Sequence, residues 1–420
     1  MLYQFYEWNH AAVAPFRKAA RWSRAALTHD GNPLSGTLLG KMLAAGCDVF
    51  ENATKRYGKP AFGLDETDIE GRTVPVLERV VWEKPFCRLI HFEREPSALK
   101  GRRDPTLLIV APLSGHYATL LRGTVETLLP THEVYITDWT DARMVPLSEG
   151  RFDLDDYIDY VIAMCDQLGP DCHVLAVCQP SVPVLAAVAL MSEDHDPALP
   201  RSMTLMGGPI DTRLNPTEVN RLATERGTKW YERHAIHVVP AVYPGFLRRV
   251  YPGFLQLSGF MAMNFDRHAA AQWDYFDHLV QGDGDETAKH RRFYDEYLAV
   301  MDLTEEFYLQ TVERVFVNHE LPRGEFHYRG RRVKPEAITA TALFTVEGEN
   351  DDISGVGQTE AAHRLCSSLP AEMKAHHVEP VVGHYGVFNG SRWRQGIAPK
   401  IAAFIRAHDE APGRKAGTAR

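Results

Sequence analysis

The chain reads as an α/β protein, with a mostly parallel central sheet flanked by helices and interrupted by an inserted helical and aromatic cap. Three observations predict this. Short apolar, β-leaning runs alternate with helical runs from Pro105 to Gly208, the rhythm of a parallel sheet covered on both faces. That rhythm stops near Ile210 and resumes at Ala340. Before that break Val174-Leu-Ala-Val177 passes through Cys178 into the helix-forming run Val182 to Met191, the shape of a sharp strand-to-helix turn that presents one side chain at the sheet edge.

The elements follow in order. Ala11 to Leu27 is predicted helical. Thr73 to Phe92 reads as two paired strands, with Pro75 at a strand start or on an edge because it cannot donate to a ladder. Leu107 to Ala111 is a buried strand, Tyr117 to Leu129 a helix, Val134 to Thr137 a strand, and Asp153 to Leu168 a one-faced helix. Met203 to Met206 is a strand ended by Gly207-Gly208-Pro209. After the insertion come a strand at Ala340 to Val346, a helix at Thr359 to Leu369, a strand at His377 to Val382 and a closing helix at Ser391 to His408. The expected organisation is an N-terminal region over 1–100 packing on the core and a first core part over 101–212. A cap over 213–335, a second core part over 336–408 and a flexible tail over 409–420 complete it.

Composition excludes several classes. With 45% hydrophobic and 24% charged residues among 420, the chain is an ordinary globular protein. A net charge of -9 argues against duplex nucleic acid as the main partner. Cys47, Cys87, Cys165, Cys172, Cys178 and Cys366 lack paired metal spacing, so reduced thiols and no metal are expected. The opening Met1 to Trp8 has no basic region followed by an apolar core, and no run is long enough to span a bilayer. A cytoplasmic protein is the expectation.

The order of reactive residues points to acyl transfer. Cys178 sits at the turn, an acid-bearing turn Gly348-Glu-Asn-Asp351-Asp352 follows, and Gly383-His384 comes last. Nucleophile, acid, histidine is the order of α/β-hydrolases. A thiol at a helix amino terminus is favoured as thiolate, and His384 is the expected base. Asp351 lies three residues past Gly348 and would orient the imidazole. Ala176 and Pro180 stand where such a turn commonly carries glycines, and Ser181 is the rival nucleophile. The backbone amide of Gln179 is one expected oxyanion donor, with Leu113 or Ser114 supplying the second. His116 competes with His384 and otherwise lines the substrate pocket. Trp139 shapes that pocket or simply packs. Tyr243-Pro-Gly-Phe246 and Tyr251-Pro-Gly-Phe254 repeat within the insertion, and their rings are pocket candidates or parts of an apolar contact surface.

Further stretches carry a resemblance nearly end to end. They are Met1 to Gln4, Val110 to His116, Val177 to Pro183, Met206 to Arg213, Asn215 to Thr217, Val346 to Ile353 and Gly383 to Gly390. Through them the chain resembles the intracellular polyhydroxybutyrate (polyhydroxyalkanoate) depolymerases. The resemblance implies an α/β-hydrolase with catalytic cysteine, aspartate and histidine, carried over to Cys178, Asp351 and His384. It implies amorphous intracellular polyester granules as substrate and partner, and a location on them. No cofactor is expected. A thioester acyl-enzyme would be open to water or to coenzyme A as acyl acceptor. Two other readings stand beside this one: a polyester synthase-like acyltransferase, and a non-catalytic granule-binding protein.

Overall fold

The computed structural model describes residues 2–263 and 265–409. Met1 and nearly all of the expected flexible tail lie outside them. Nine strands build one sheet: β1 (Glu66–Ile69), β2 (Arg72–Lys84), β3 (Cys87–Arg94), β4 (Thr106–Val110), β5 (Glu133–Trp139), β6 (Cys172–Val177), β7 (Ser202–Met206), β8 (Ala342–Gly348) and β9 (Lys374–Glu379). Their spatial order is β1-β2-β3-β5-β4-β6-β7-β8-β9. The pairs β1–β2, β2–β3 and β3–β5 are antiparallel, and every later pair is parallel. Pro75 sits near the start of β2, as its missing donor requires.

Strand β4 lies between β5 on one side and β6 on the other. The chain therefore reverses its direction of travel across the sheet between β4 and β6. Crevices outside the carboxyl ends of strands at such a reversal are where open α/β sheets bind ligands. Cys178 follows β6 and the loop 111–116 follows β4, so both open onto that point.

The helices follow the same logic. Helix α1 (Leu2–Leu27) and helix α2 (Leu38–Thr54) form a hairpin. Helix α3 (Leu154–Leu168) starts from a reciprocal cap, in which Asp153 accepts from the amides of Asp155 and Asp156 while Asp156 accepts from the Asp153 amide. Helix α4 (Ser181–Glu193) has no polar face, and every residue from Ser181 to Ser192 is buried. The insertion adds α5 (Gly253–Met263), α6 (Phe265–Gln281) and α7 (Gly284–Tyr297), and α8 (Ala398–Asp409) closes the chain. No helix among the described residues is long and apolar enough to cross a membrane.

Several expectations are corrected. The first hundred residues divide between two places. Strands β1–β3 complete the sheet, whereas the α1–α2 hairpin lies on α6 of the insertion. Asp48 of α2 holds that joint, accepting from Tyr275 at 2.6 Å and pairing with Arg291 at 2.7 Å. The insertion also contains a three-stranded sheet of two- and three-residue strands, too short for periodicity to reveal. The helix expected over Thr359–Leu369 shrinks to Ala362–Leu365. The carboxylate of Glu347 accepts from the amides of Gly357, Thr359 and Glu360 and holds that stretch in turns. Strand β9 ends at Glu379, three residues before the expected Val382, and Val381 turns the chain with φ +58°.

Candidate active site

Cys178 has φ +68°, a left-handed conformation that a residue with a Cβ adopts at a cost of roughly 1–3 kcal/mol. Its amide donates to the Met206 carbonyl at 2.7 Å and its carbonyl accepts from the Ser181 amide at 3.0 Å. These bonds pin the turn from both sides. Gly208 makes room for it: a Cβ there would fall 2.2 Å from the Ser181 Cβ and 3.1 Å from the Cys178 carbonyl oxygen. Ser181 is completely buried beneath the turn, which removes it as an exposed rival.

Asp351 sits on the turn after β8. Its Oδ1 accepts from the amides of Ile353 and Ser354, each at 2.8 Å, and its Oδ2 lies 2.7 Å from His384 Nδ1. Asp352 points to solvent, which decides between the adjacent acids. His384 opens a short 3₁₀ turn after β9, and its ring is boxed edge-to-face by Tyr385 and Phe388. Burial alone would depress its pKa. The Asp351 carboxylate, hydrogen bonded to the ring, and the nearby Cys178 side chain outweigh burial and hold it well above the ordinary histidine range. The structure thus brings Cys178, His384 and Asp351 together in one chain of contacts. Cys178 is partly exposed, whereas Cys87, Cys165, Cys172 and Cys366 are buried, and burial pushes the Cys366 thiol up to about 12.

The loop after β4 is braced. Trp139 Nε1 donates to the Ala111 carbonyl at 2.8 Å, the Ala111 amide donates to Thr137 Oγ1 at 2.8 Å, and Met301 of the insertion donates to the Gly115 carbonyl at 2.8 Å. Val110 and Ala176 are register partners, so the loop that holds Leu113 and Ser114 leaves the sheet next to the strand that leads into Cys178. Among the described residues the amides of Gln179, Leu113 and Ser114 make no hydrogen bond to the protein. His116 has another task. It is buried, its ring contacts the Tyr297 carbonyl at 3.1 Å, and burial lowers its pKa to about 4. It joins the loop to the insertion.

Trp139 packs among Phe152, Tyr157 and Tyr160, and it also lines a cavity of about 660 Å³ with Lys59, Arg88 and Asp138. Cys178, Asp351 and His384 do not line that cavity. The repeated aromatic turns make contacts elsewhere. Tyr243 donates to Glu7 at 2.9 Å, Tyr251 stacks on Tyr308 at 4.0 Å, Phe254 stacks on Tyr6 at 4.1 Å, and Phe246 is exposed. Three of them brace α1 and the insertion. Glu347, Glu360 and His376 approach one another, but the buried Glu347 carboxylate is already taken by three amides.

Sequence reasoning missed three contributors. Gly207, with φ +55°, stands against Asp351 and His384. Tyr385 packs edge-to-face against His384, and burial raises its pKa. Gln256 of α5 rests on Gly115, where a Cβ would meet its Oε1 at 2.2 Å. Only the glycine pair left a signal, as a strand-ending Gly-Gly-Pro.

Comparison with known proteins agrees in outline. Residues 207–409 match the family described as PHB de-polymerase C-terminus. Among solved structures, a putative lipase from Acinetobacter baumannii is 13% identical over 79% of this chain and 93% of its own, with a TM-score of 0.41. The 2-hydroxy-6-oxo-6-phenylhexa-2,4-dienoate hydrolase of Rhodococcus sp. strain RHA1 is 11% identical over 79% and 99%, with a TM-score of 0.40. A thermophilic esterase from Thermogutta terrifontis is 13% identical over 81% and 97%, with a TM-score of 0.38. No curated protein matches the sequence. The matched region, just under half of the chain, holds the last two strands of the nine-stranded sheet together with Asp351 and His384, and it is similar to that polyhydroxybutyrate depolymerase family.

Proposed function

We propose that this protein is an ester hydrolase that depolymerises amorphous poly(3-hydroxybutyrate) through Cys178 as nucleophile, with His384 and Asp351. One observation carries the reading: the partly exposed Cys178, at φ +68°, stands near enough to raise the pKa of a histidine whose Nδ1 lies 2.7 Å from a buried carboxylate.

The raised pKa of His384 makes it the acceptor of the Cys178 proton, and the thiolate so formed is the nucleophile. The thiolate attacks an ester carbonyl of the polymer, and the oxyanion is met by the Gln179 amide together with that of Leu113 or Ser114. His384 gives its proton to the departing alkoxide as the ester C–O bond breaks, leaving a thioester on Cys178. Water then attacks the thioester, His384 takes its proton, and the thiolate leaves. The products are one carboxylic acid and one alcohol. Asp351 keeps the imidazole aligned and its charge balanced. A thiol such as coenzyme A serves equally well as acceptor in chemical terms, because exchange between thioesters changes bond energy little.

The test is release of 3-hydroxybutyrate from native granules with and without iodoacetamide. Alkylation mapped to Cys178 together with loss of release supports the reading. Full release from protein alkylated at Cys178 refutes it. Chain growth from 3-hydroxybutyryl thioester, without polymer loss, would favour the acyltransferase. Retained granule binding without turnover by the native enzyme would favour the coat protein.

A further inference from the structure

The outer face of the α1–α2 hairpin is apolar and bare. On α1, Phe5, Trp8, Phe16 and Trp22 are 61%, 76%, 67% and 75% exposed. Positions 5, 8, 12, 15, 19, 22 and 26 alternate in steps of three and four, and all are exposed and uncharged, so they form one stripe along the helix. Leu38, Leu39 and Met42 continue the face on α2 at 67%, 61% and 44% exposure. This is not a loose segment. The Tyr3 hydroxyl donates to Asp302 at 2.6 Å, Arg17 donates to the Thr54 carbonyl at 2.9 Å, and Arg24 pairs with Asp48. A rigid face with two nearly bare tryptophans is a contact surface.

Charge selects the occupant. The hairpin helices carry three acids, and each is neutralised within the fold: Glu7 by Arg56, Asp48 by Arg24 and Arg291, Glu51 by Arg21. Lys18 and Lys41 are exposed and form no ion pair among the described residues. The helical face is therefore apolar with a basic fringe, one exposed acid, Asp30, lying in the turn between the helices, on a chain of net charge -9. A second copy would bring like charges together. A polyester surface under hydrolysis is the complement: it is apolar, and every cut leaves a carboxylate.

Resting on the depolymerase reading above, we infer that the α1–α2 face docks the enzyme on its own polymer particle through an aromatic stripe flanked by Lys18 and Lys41. The same hairpin touches the helix over the site. Tyr6 stacks on Phe254 of α5, Asp302 accepts from Tyr3 and from the Gly253 amide that opens α5, and Gln256 of α5 rests on Gly115. Docking thus sets α5 beside the polymer.

The test uses Phe5→Ser, Trp8→Ser and Trp22→Ser together, all at exposed positions. Binding is read by co-sedimentation with amorphous poly(3-hydroxybutyrate) particles in a Cys178→Ala background, which separates it from turnover. The triple variant should bind at least tenfold more weakly, while in the Cys178 background it cleaves soluble 3-hydroxybutyrate trimer within twofold of wild type. Lys18→Glu with Lys41→Glu should weaken binding further and reverse its salt dependence. Undiminished binding by the triple variant overturns the inference. So does a wild-type dimer, by light scattering, that the triple variant converts to monomer. Trimer cleavage without particle binding sinks the docking alone. Particle binding without cleavage of trimer or polymer sinks the depolymerase reading instead.

Discussion

Gly208→Ala should cripple the enzyme while leaving it folded. The added methyl would lie 2.2 Å from the Ser181 Cβ and 2.0 Å from its Oγ, where ordinary contact begins at 3.4 Å, so something must give by about 1.2 Å. Helix α4 cannot retreat, because Ser181 and the eleven residues after it are buried. The displacement falls on the Cys178 turn, whose carbonyl is 3.1 Å from the same methyl position. A misplacement of about 1 Å at reacting atoms costs about 100-fold in rate. Overpacking costs about 1–3 kcal/mol of stability, which a large core tolerates. The assay is kcat on soluble 3-hydroxybutyrate trimer, with a thermal melt alongside. Ser181→Gly removes both clashing atoms, so Gly208→Ala with Ser181→Gly should recover most of the rate, at about 1 kcal/mol for glycine in a helix. Wild-type kcat in Gly208→Ala, or a double variant no faster than the single, would refute this account of the turn.

Other predictions probe the rest of the site. Gly207→Ala places a side chain at φ +55° and 3.3 Å from both Asp351 Oδ2 and His384 Cε1; a melt and a kcat should show about 1–3 kcal/mol and about tenfold lost. Asp351→Asn should lower kcat by about 10⁴. It also removes the charge that raises the His384 pKa, so the ring deprotonates earlier and the alkaline limb of the kcat/KM profile moves to lower pH. Burial, with Asp141 nearby, raises the Asp302 pKa to about 7. The folded chain then holds this proton more tightly than the unfolded chain, whose carboxyl titrates near 3.9. That contribution to stability is full below about pH 4 and is lost as pH rises through about 7, with a slope of at most about 1.4 kcal/mol per unit. Melts of Asp302→Asn across that window should be flatter than those of wild type.

Much of this site was legible because it rests on local patterns. A strand that ends in Cys178 and runs into an unbroken apolar helix can hardly avoid a sharp turn. Gly348 and Gly383 mark the turns that carry Asp351 and His384. The parallel strands were equally plain, since burial on both faces demands continuous apolar runs. What escaped depends on contacts distant in sequence. Nothing near Phe254 says that it stacks on Tyr6, and nothing near His116 says that its ring meets the Tyr297 carbonyl. The three hydrogen bonds from residues 357–360 to Glu347 likewise overrode a helical pattern that the local residues favour.

The most direct measurement is the location of the acyl group. Enzyme mixed rapidly with 3-hydroxybutyrate trimer, quenched in acid and digested, should yield a 3-hydroxybutyryl adduct on the peptide holding Cys178, removable by hydroxylamine and absent in Cys178→Ala. An adduct on any other residue, or steady trimer cleavage by Cys178→Ala, would contradict the account.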